Sequence, residues 1–135
     1  MKLTTSRRST IAQGILADMA NGTTANPKIQ LYSGSMPSSI GGAISGTLLA
    51  ELETSTAVGS ESSGVITFDP VSNDTSANAT GTVGWARVLD RDGAEALYLT
   101  VSVTGGGGDI EMNTLDIVQG GPVAISSGTI TVGGQ

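Results

Sequence analysis

Cysteine and histidine are both missing from this sequence of 135 residues. Without cysteine the chain has neither a disulfide framework nor thiolate chemistry. Without histidine it lacks the usual proton shuttle near neutral pH, which excludes Ser-His-Asp and Cys-His catalysis and most transition-metal sites. These absences predict a protein that is not an enzyme and that needs no cofactor and no metal.

Aromatic residues are scarce as well, with one Trp, one Phe and two Tyr against 20 Gly. Such a composition favours strands and turns over long helices, and short extended segments recur along the chain. In the first of these segments the alternation predicts that Tyr32 faces outward into water. We expect a mainly β protein: an antiparallel β-sandwich or jelly-roll-like domain of about eight short strands (residues 25–135) after an N-terminal helix or arm (residues 1–24).

Basic residues are few and unevenly placed. Three of the six, Lys2, Arg7 and Arg8, precede Ser9, and the rest of the chain has three basic residues against twelve acidic ones. This balance disfavours nucleic acid and anionic membranes as partners. No apolar run approaches the roughly 20 residues of a membrane span, and residues 4–10 are too polar for a signal peptide. We therefore expect a soluble protein made in the cytoplasm.

One helical pattern is present, in residues 4–21. Ile11, Ile15 and Met19 recur four residues apart and form an apolar stripe, which we expect to cover the β body. The basic charges beside this stripe could dock on an acidic partner, and a solvated N-terminus with incidental charges accounts for them equally well. The candidate docking residues are Arg7, Arg8, Ile11 and Ile15.

The only Trp lies in a predicted strand that ends at a tight turn. Residues 90–93 (DRDG) supply the turn, because Asp tolerates left-handed backbone geometry and Gly removes its steric cost. The same residues resemble the start of a calcium loop but lack its further ligands, so a hairpin turn is favoured. The residues predicted to form the structural core and turn of this hairpin are Trp85, Asp90, Asp92 and Gly93.

Two other patterns are candidates for a catalytic or a phosphate-binding site. Glu51 with Glu53, and Glu111 with Asp116, are carboxylate pairs of the kind that glycoside hydrolases use, but no aromatic platform for a sugar accompanies them. Solvated positions are favoured for them. The glycine run 105–108 lacks the Lys and Ser/Thr of a phosphate loop, and a flexible linker or a loop tip is favoured.

Five segments, taken in order, have a familiar arrangement. They are the N-terminal helix, KIQLYSGSMPSS, GTLLAELETS, SNDTSANATGTVGWARVLDRDG and GGGGDIEMNTLDIVQGGPVAISSGTITV. Together they resemble a family of small virion proteins encoded beside the structural genes of tailed bacteriophages, and GTVGWARV with its Asp-Gly turn is the most specific part. The resemblance implies a structural protein of the virion, synthesised in the host bacterial cytoplasm, with no catalytic motif.

Composition and resemblance together predict a capsid decoration, or cement, protein that bridges and stabilises major-capsid subunits. Its expected partners are the major capsid protein and further copies of itself, and a trimer would match local threefold positions. A structural component of the tail, neck or baseplate is the first alternative. A host-surface carbohydrate-binding module, which needs exposed aromatic side chains, is the second.

Overall fold

A computed structural model describes residues 1–133 and confirms a mainly β fold with an N-terminal helix. The described residues contain ten strands, where about eight were expected. The helix α1 is Thr5–Met19. The strands are β1 Lys28–Tyr32, β2 Leu48–Glu53, β3 Gly59–Ser62, β4 Val65–Phe68, β5 Gly81–Thr82, β6 Trp85–Leu89, β7 Glu95–Val103, β8 Ile110–Met112, β9 Asp116–Ile117 and β10 Ser127–Thr131.

Eight strands form one sheet in the order β2-β1-β6-β7-β8-β10-β4-β3, and β5 pairs with β9 separately. One cluster of buried side chains draws on both halves of the large sheet, including Ile29 and Val88 from one half and Ile66 and Ile110 from the other. The sheet therefore curls around a single core, as a sandwich-like domain requires. The last two residues of the predicted β domain lie outside the described residues.

The connection between β7 and β8 is short for the arrangement that it makes. These two strands are parallel, with Val101 opposite Ile110, whereas the other paired strands within residues 1–133 are antiparallel. Parallel neighbours usually need a crossover of a dozen or more residues. Here the glycine run 105–108 loops the chain back beside β7 in a few residues, since Gly105 and Gly107 both have a φ of +87°. Its amides are bonded to the body, so the run is an ordered loop tip and not a flexible linker.

Helix α1 begins where Thr4 caps it, because the Thr4 hydroxyl accepts the amide of Arg7 at 3.2 Å. Ala12 and Met19 are fully buried, and Ile15 and Leu16 pack against the same core, so most of the predicted stripe covers the β body. Ile11 is the exception, with 44% of its surface exposed. A spacing of four residues advances by about 400°, so the stripe drifts around the helix and its first member leaves the interface.

Candidate functional site

The DRDG segment forms a hairpin turn between β6 and β7. The amide of Asp90 donates to the carbonyl of Ala94 at 2.8 Å, and Gly93 has a φ of +84°. The carboxylate of Asp90 accepts the amides of Asp92 and Ala94, both at 2.9 Å. The turn is therefore held by its own first side chain, as an Asx turn is.

The same turn binds the linker between α1 and β1. Oδ1 of Asp92 accepts the amides of Thr23 and Thr24 at 3.0 and 3.2 Å and the Thr24 hydroxyl at 2.9 Å. The pKa of Asp92 is lowered from its ordinary value of 3.8, first by the Thr23 amide and then by the Thr24 hydroxyl. At Gly22, with a φ of +106°, an added Cβ would lie 2.6 Å from Cγ of Asp92. Only glycine allows the linker to pass this close to the carboxylate.

Arg91 completes this attachment, which we call the turn clamp (residues 90–93 with residues 21–25). Its Nε donates to the carbonyl of Ala25 at 2.8 Å and its Nη1 to the carbonyl of Gly22 at 3.2 Å. Two backbone hydrogen bonds join the same segments: the amide of Arg91 donates to the carbonyl of Asn21, and the amide of Ala25 donates to the carbonyl of Arg91. The turn thus fixes where the helix enters the β domain.

Trp85 is the centre of a second buried group, on the face of the sheet opposite Ala86 and Val88. It is 1% exposed and stacks on Tyr32 with ring centroids 4.9 Å apart, while Tyr98 meets it edge-on at 4.8 Å. The outward position predicted for Tyr32 is wrong, since that side chain is only 7% exposed. Strand alternation correctly predicts which face of the sheet carries Tyr32, but other side chains cover that face, so Tyr32 is not in contact with water as expected.

Charged and polar side chains surround these rings. Arg87 donates from Nε and Nη2 to Oε1 of Gln30 at 3.0 and 2.6 Å, from Nη2 to the Tyr32 hydroxyl at 3.0 Å and from Nη1 to Oε2 of Glu95 at 3.2 Å. Its guanidinium also lies 5.5 Å from the centre of the Tyr32 ring, within cation–π range. We call these residues the aromatic–arginine cluster; its members are Gln30, Tyr32, Trp85, Arg87, Glu95 and Tyr98.

The cluster fastens a long loop, residues 33–47, to the sheet. The amide of Gly41 donates to Oε1 of Glu95 at 3.0 Å and to the Tyr98 hydroxyl at 3.3 Å, and Tyr98 donates to Glu95 at 2.8 Å. Burial raises the pKa of Glu95, but the bonds from Tyr98, Arg87 and Gly41 outweigh it, so the pKa is lowered. The pKa of Tyr98 is raised, by burial first and then by its bond to Glu95. Glu95 is therefore an ionised anchor for the loop.

The predicted docking residues lie on two different sides of α1. Arg7 and Ile11 are exposed. Arg8 is partly buried over the β3–β4 turn, where an added Cβ at Gly64 would lie 2.8 Å from its Cβ, and Ile15 packs on the core. The four residues therefore do not form one outward patch, and of the four only Arg7 and Ile11 are exposed.

Three of the four carboxylates that could serve catalysis are engaged by the fold. Glu51 accepts Nε2 of Gln30 at 2.7 Å and lies 3.6 Å from Nζ of Lys28, so it is only partly exposed, whereas Glu53 is exposed. Glu111 accepts the amides of Gly105 and Gly107. Asp116 accepts the Thr82 hydroxyl at 3.3 Å, away from Glu111. In the described part of the chain, no three acidic residues gather as a metal site would require.

A shallow groove of about 350 Å³ runs between β4 and β10. Phe68, Pro70, Val71 and Ile125 supply much of its lining, and Asp69 is its charged member. The Asp69 carboxylate already accepts the Ser55 hydroxyl at 2.7 Å. The lining also includes four hydroxyl side chains, Thr67, Ser126, Ser127 and Thr129, and those of Ser126 and Ser127 are already bonded to Glu111.

Comparisons with protein-family models, with curated proteins and with solved structures found no match to this chain. Within residues 1–133, no helix is both long enough and apolar enough to cross a membrane. Sequence reasoning missed both the turn clamp and the aromatic–arginine cluster. The period-2 pattern placed Trp85 and Arg87 on one face, but their partners on β1 are more than 50 residues away in the chain.

Proposed function

We propose that this chain is a non-enzymatic structural protein of a tailed-phage virion, and specifically a decoration protein that bridges neighbouring major-capsid subunits. The observation that carries the proposal is the use made of its acidic side chains. Within residues 1–133, seven of the twelve carboxylates accept backbone amides of turns, loops or adjacent strands. These seven are Glu61, Asp74, Asp90, Asp92, Glu95, Asp109 and Glu111.

This use of charge favours a scaffold over a catalyst. A catalytic carboxylate must be free to exchange a proton or to bind a substrate, whereas these oxygens are occupied by amides of the chain itself. A carboxylate that accepts a backbone amide stabilises the position of a loop, and a charge-assisted bond of this kind is stronger than a neutral one. The chain thereby holds its loops in place without disulfides. A decoration protein makes the same contacts at many equivalent positions on a capsid, so its contact surfaces need loops with a fixed conformation.

The charge distribution supports docking through the N-terminal region. Arg7 lies on the exposed side of α1 with Ile11 one turn away, and Lys2 precedes the helix. The rest of the chain is strongly acidic, so this region is the one that an acidic surface on a capsid subunit would attract. Weak contacts of this type add up when one assembly engages several subunits at once. The resemblance of the sequence to small virion proteins points to the same role.

The geometry does not favour the carbohydrate-binding alternative. A sugar platform requires an exposed aromatic face, but Trp85 and Tyr32 are 1% and 7% exposed, and loop 33–47 is bonded over the partly buried Tyr98. A tail, neck or baseplate component would use the same clamped β body. Position in the particle separates that alternative from a decoration protein.

Localisation and add-back test the proposal. Cryo-electron microscopy of intact particles should show the chain on the outer surface of the head, and purified protein added to heads that lack it should raise the temperature at which they release DNA. A Lys2→Glu variant, which leaves helix α1 unchanged, should bind such heads less tightly, whereas Lys28→Glu, which changes the same charge on the sheet, should bind normally. Recovery of the protein only in detached tails would refute a decoration role.

A further inference from the structure

The exposed side of helix α1 has a regular stripe, formed by Arg7, Ile11, Gly14 and Asp18. Successive helical residues are about 100° apart, so these four positions fall within about 60° of the circumference. Arg7 and Asp18 are exposed, Ile11 is 44% exposed, and an added Cβ at Gly14 would meet nothing within 4 Å. The ion pairs found in residues 1–133 involve neither Arg7 nor Asp18. The two charges of the stripe are therefore not used in the ion pairs of the described residues.

The two charged residues of this stripe destabilise helix α1 when it is considered alone. The first turn of α1 has no acidic residue and the last turn has no basic one. Instead, Arg7 lies near the positive end of the helix dipole and Asp18 near the negative end, and both placements are unfavourable. Gly14 also weakens an exposed helix relative to alanine. A second helix lying antiparallel would reverse each of these penalties.

We propose that two copies of the chain pair through this stripe, with their α1 helices antiparallel about a twofold axis. The axis that places Arg7 beside the second copy's Asp18 also places Ile11 beside the second copy's Gly14, since both pairs are centred between positions 12 and 13. Gly14 of one copy leaves room for Ile11 of the other, and an ion pair between Arg7 and Asp18 forms at each end of the interface. That centre is close to the middle of Thr5–Met19, so the whole helix takes part. The pairing uses Arg7 and Ile11, so it competes with the capsid docking proposed above for the same two residues.

A parallel pair is excluded by the same charges. It would set Arg7 against Arg7 and Asp18 against Asp18, and it would oppose glycine to glycine and leave a gap there. The stripe thus specifies one orientation. A helix of 15 residues spans only about 22 Å, so the interface is smaller than the roughly 800 Å² per partner of a standard complex. We expect a weak dimer in solution that local concentration would strengthen in an assembly.

Sedimentation equilibrium of the full chain, at concentrations from about 5 µM to 1 mM, tests the pairing at the affinity expected for a small interface. A monomer–dimer equilibrium is expected. Arg7→Glu and Asp18→Lys should each weaken it about tenfold or more, since each places like charges together, and the double variant should restore it. Neither change should lower the melting temperature, because both suit the helix dipole.

Gly14→Leu is the steric test. It should weaken the dimer about tenfold or more, because leucine fills the space that Ile11 of the second copy needs, while the higher helix propensity keeps the fold stable. Gln13→Leu is the matched control, exposed but outside the stripe, and should leave the equilibrium unchanged. A chain that stays monomeric at 1 mM, or a trimer that none of these variants affects, overturns the proposal.

Engineered cysteines test the orientation, since the chain has none of its own. Under oxidising conditions, Arg7→Cys mixed with Asp18→Cys should give a mixed disulfide. Either variant alone should not, because two copies of one position lie about 16 Å apart along an antiparallel pair, beyond disulfide reach. A preference for either homodisulfide over the mixed species contradicts the antiparallel arrangement.

Discussion

Replacement of Arg87 by methionine should destabilise the protein substantially. The side chain makes four hydrogen bonds to three partners, Gln30, Tyr32 and Glu95, and both members of the ion pair with Glu95 are 21% exposed. Methionine keeps an apolar stem over the Tyr32 ring but leaves these acceptors without their donor. A hydrogen bond to a charged group contributes roughly 1.5–3 kcal/mol, and water will replace part of this at a partly exposed site. We expect a loss of about 2–4 kcal/mol in the free energy of unfolding, or about 10 °C in Tm.

Urea unfolding followed by tryptophan fluorescence measures this loss directly, because Trp85 is the only tryptophan and lies within the aromatic–arginine cluster. Lys28→Met is the matched control on the same face of the sheet. Its ion pair with Glu51 is 3.6 Å long and about one-third exposed, so its removal should cost less than about 1 kcal/mol. An Arg87→Met variant within 0.5 kcal/mol of the parent, on the scale expected for ordinary surface changes, would refute the structural role assigned to the cluster.

Two further predictions concern close approach and pH. Gly84→Ala should destabilise by about 1–3 kcal/mol in urea unfolding, since its Cβ would lie 1.9 Å from the carbonyl oxygen of Gly34, whereas Gly133→Ala, with open space around it, should be neutral. The folded-state pKa of Asp92 is lowered, so its stabilisation is present above the unfolded value of 3.8 and is lost as pH falls through the folded value. The stability advantage of the parent over Asp92→Asn should therefore shrink between pH 5 and the onset of acid unfolding; an advantage that does not change with pH would contradict an ionised clamp.

Local sequence patterns were sufficient to predict secondary-structure elements, but they did not predict the side-chain contacts between those elements. The strand Val65–Phe68 and the turn at residues 90–93 follow from alternation and turn chemistry, which act over a few residues. Tyr32 was placed on the correct face but given the wrong environment. Its burial depends on Trp85 and Arg87, which strand pairing brings from another part of the chain. A period-2 pattern shows which side chains share a face and not whether another segment covers that face.

The turn clamp shows the same limit and links the hairpin to the helix. Asp-x-Asp-Gly predicts a turn by itself, but the partners of Asp92 are Thr23 and Thr24, nearly 70 residues earlier, and nothing local indicates them. Once the linker is held, α1 can lie against the sheet in only a narrow range of directions, and Ala12 and Met19 fix its rotation. That rotation is what presents the stripe containing Arg7 and Ile11 to solvent. A hairpin that looks purely structural in the sequence therefore sets the position of the surface that we propose to pair with a second copy, and loosening the clamp should weaken that pairing even though none of its residues lies in the stripe.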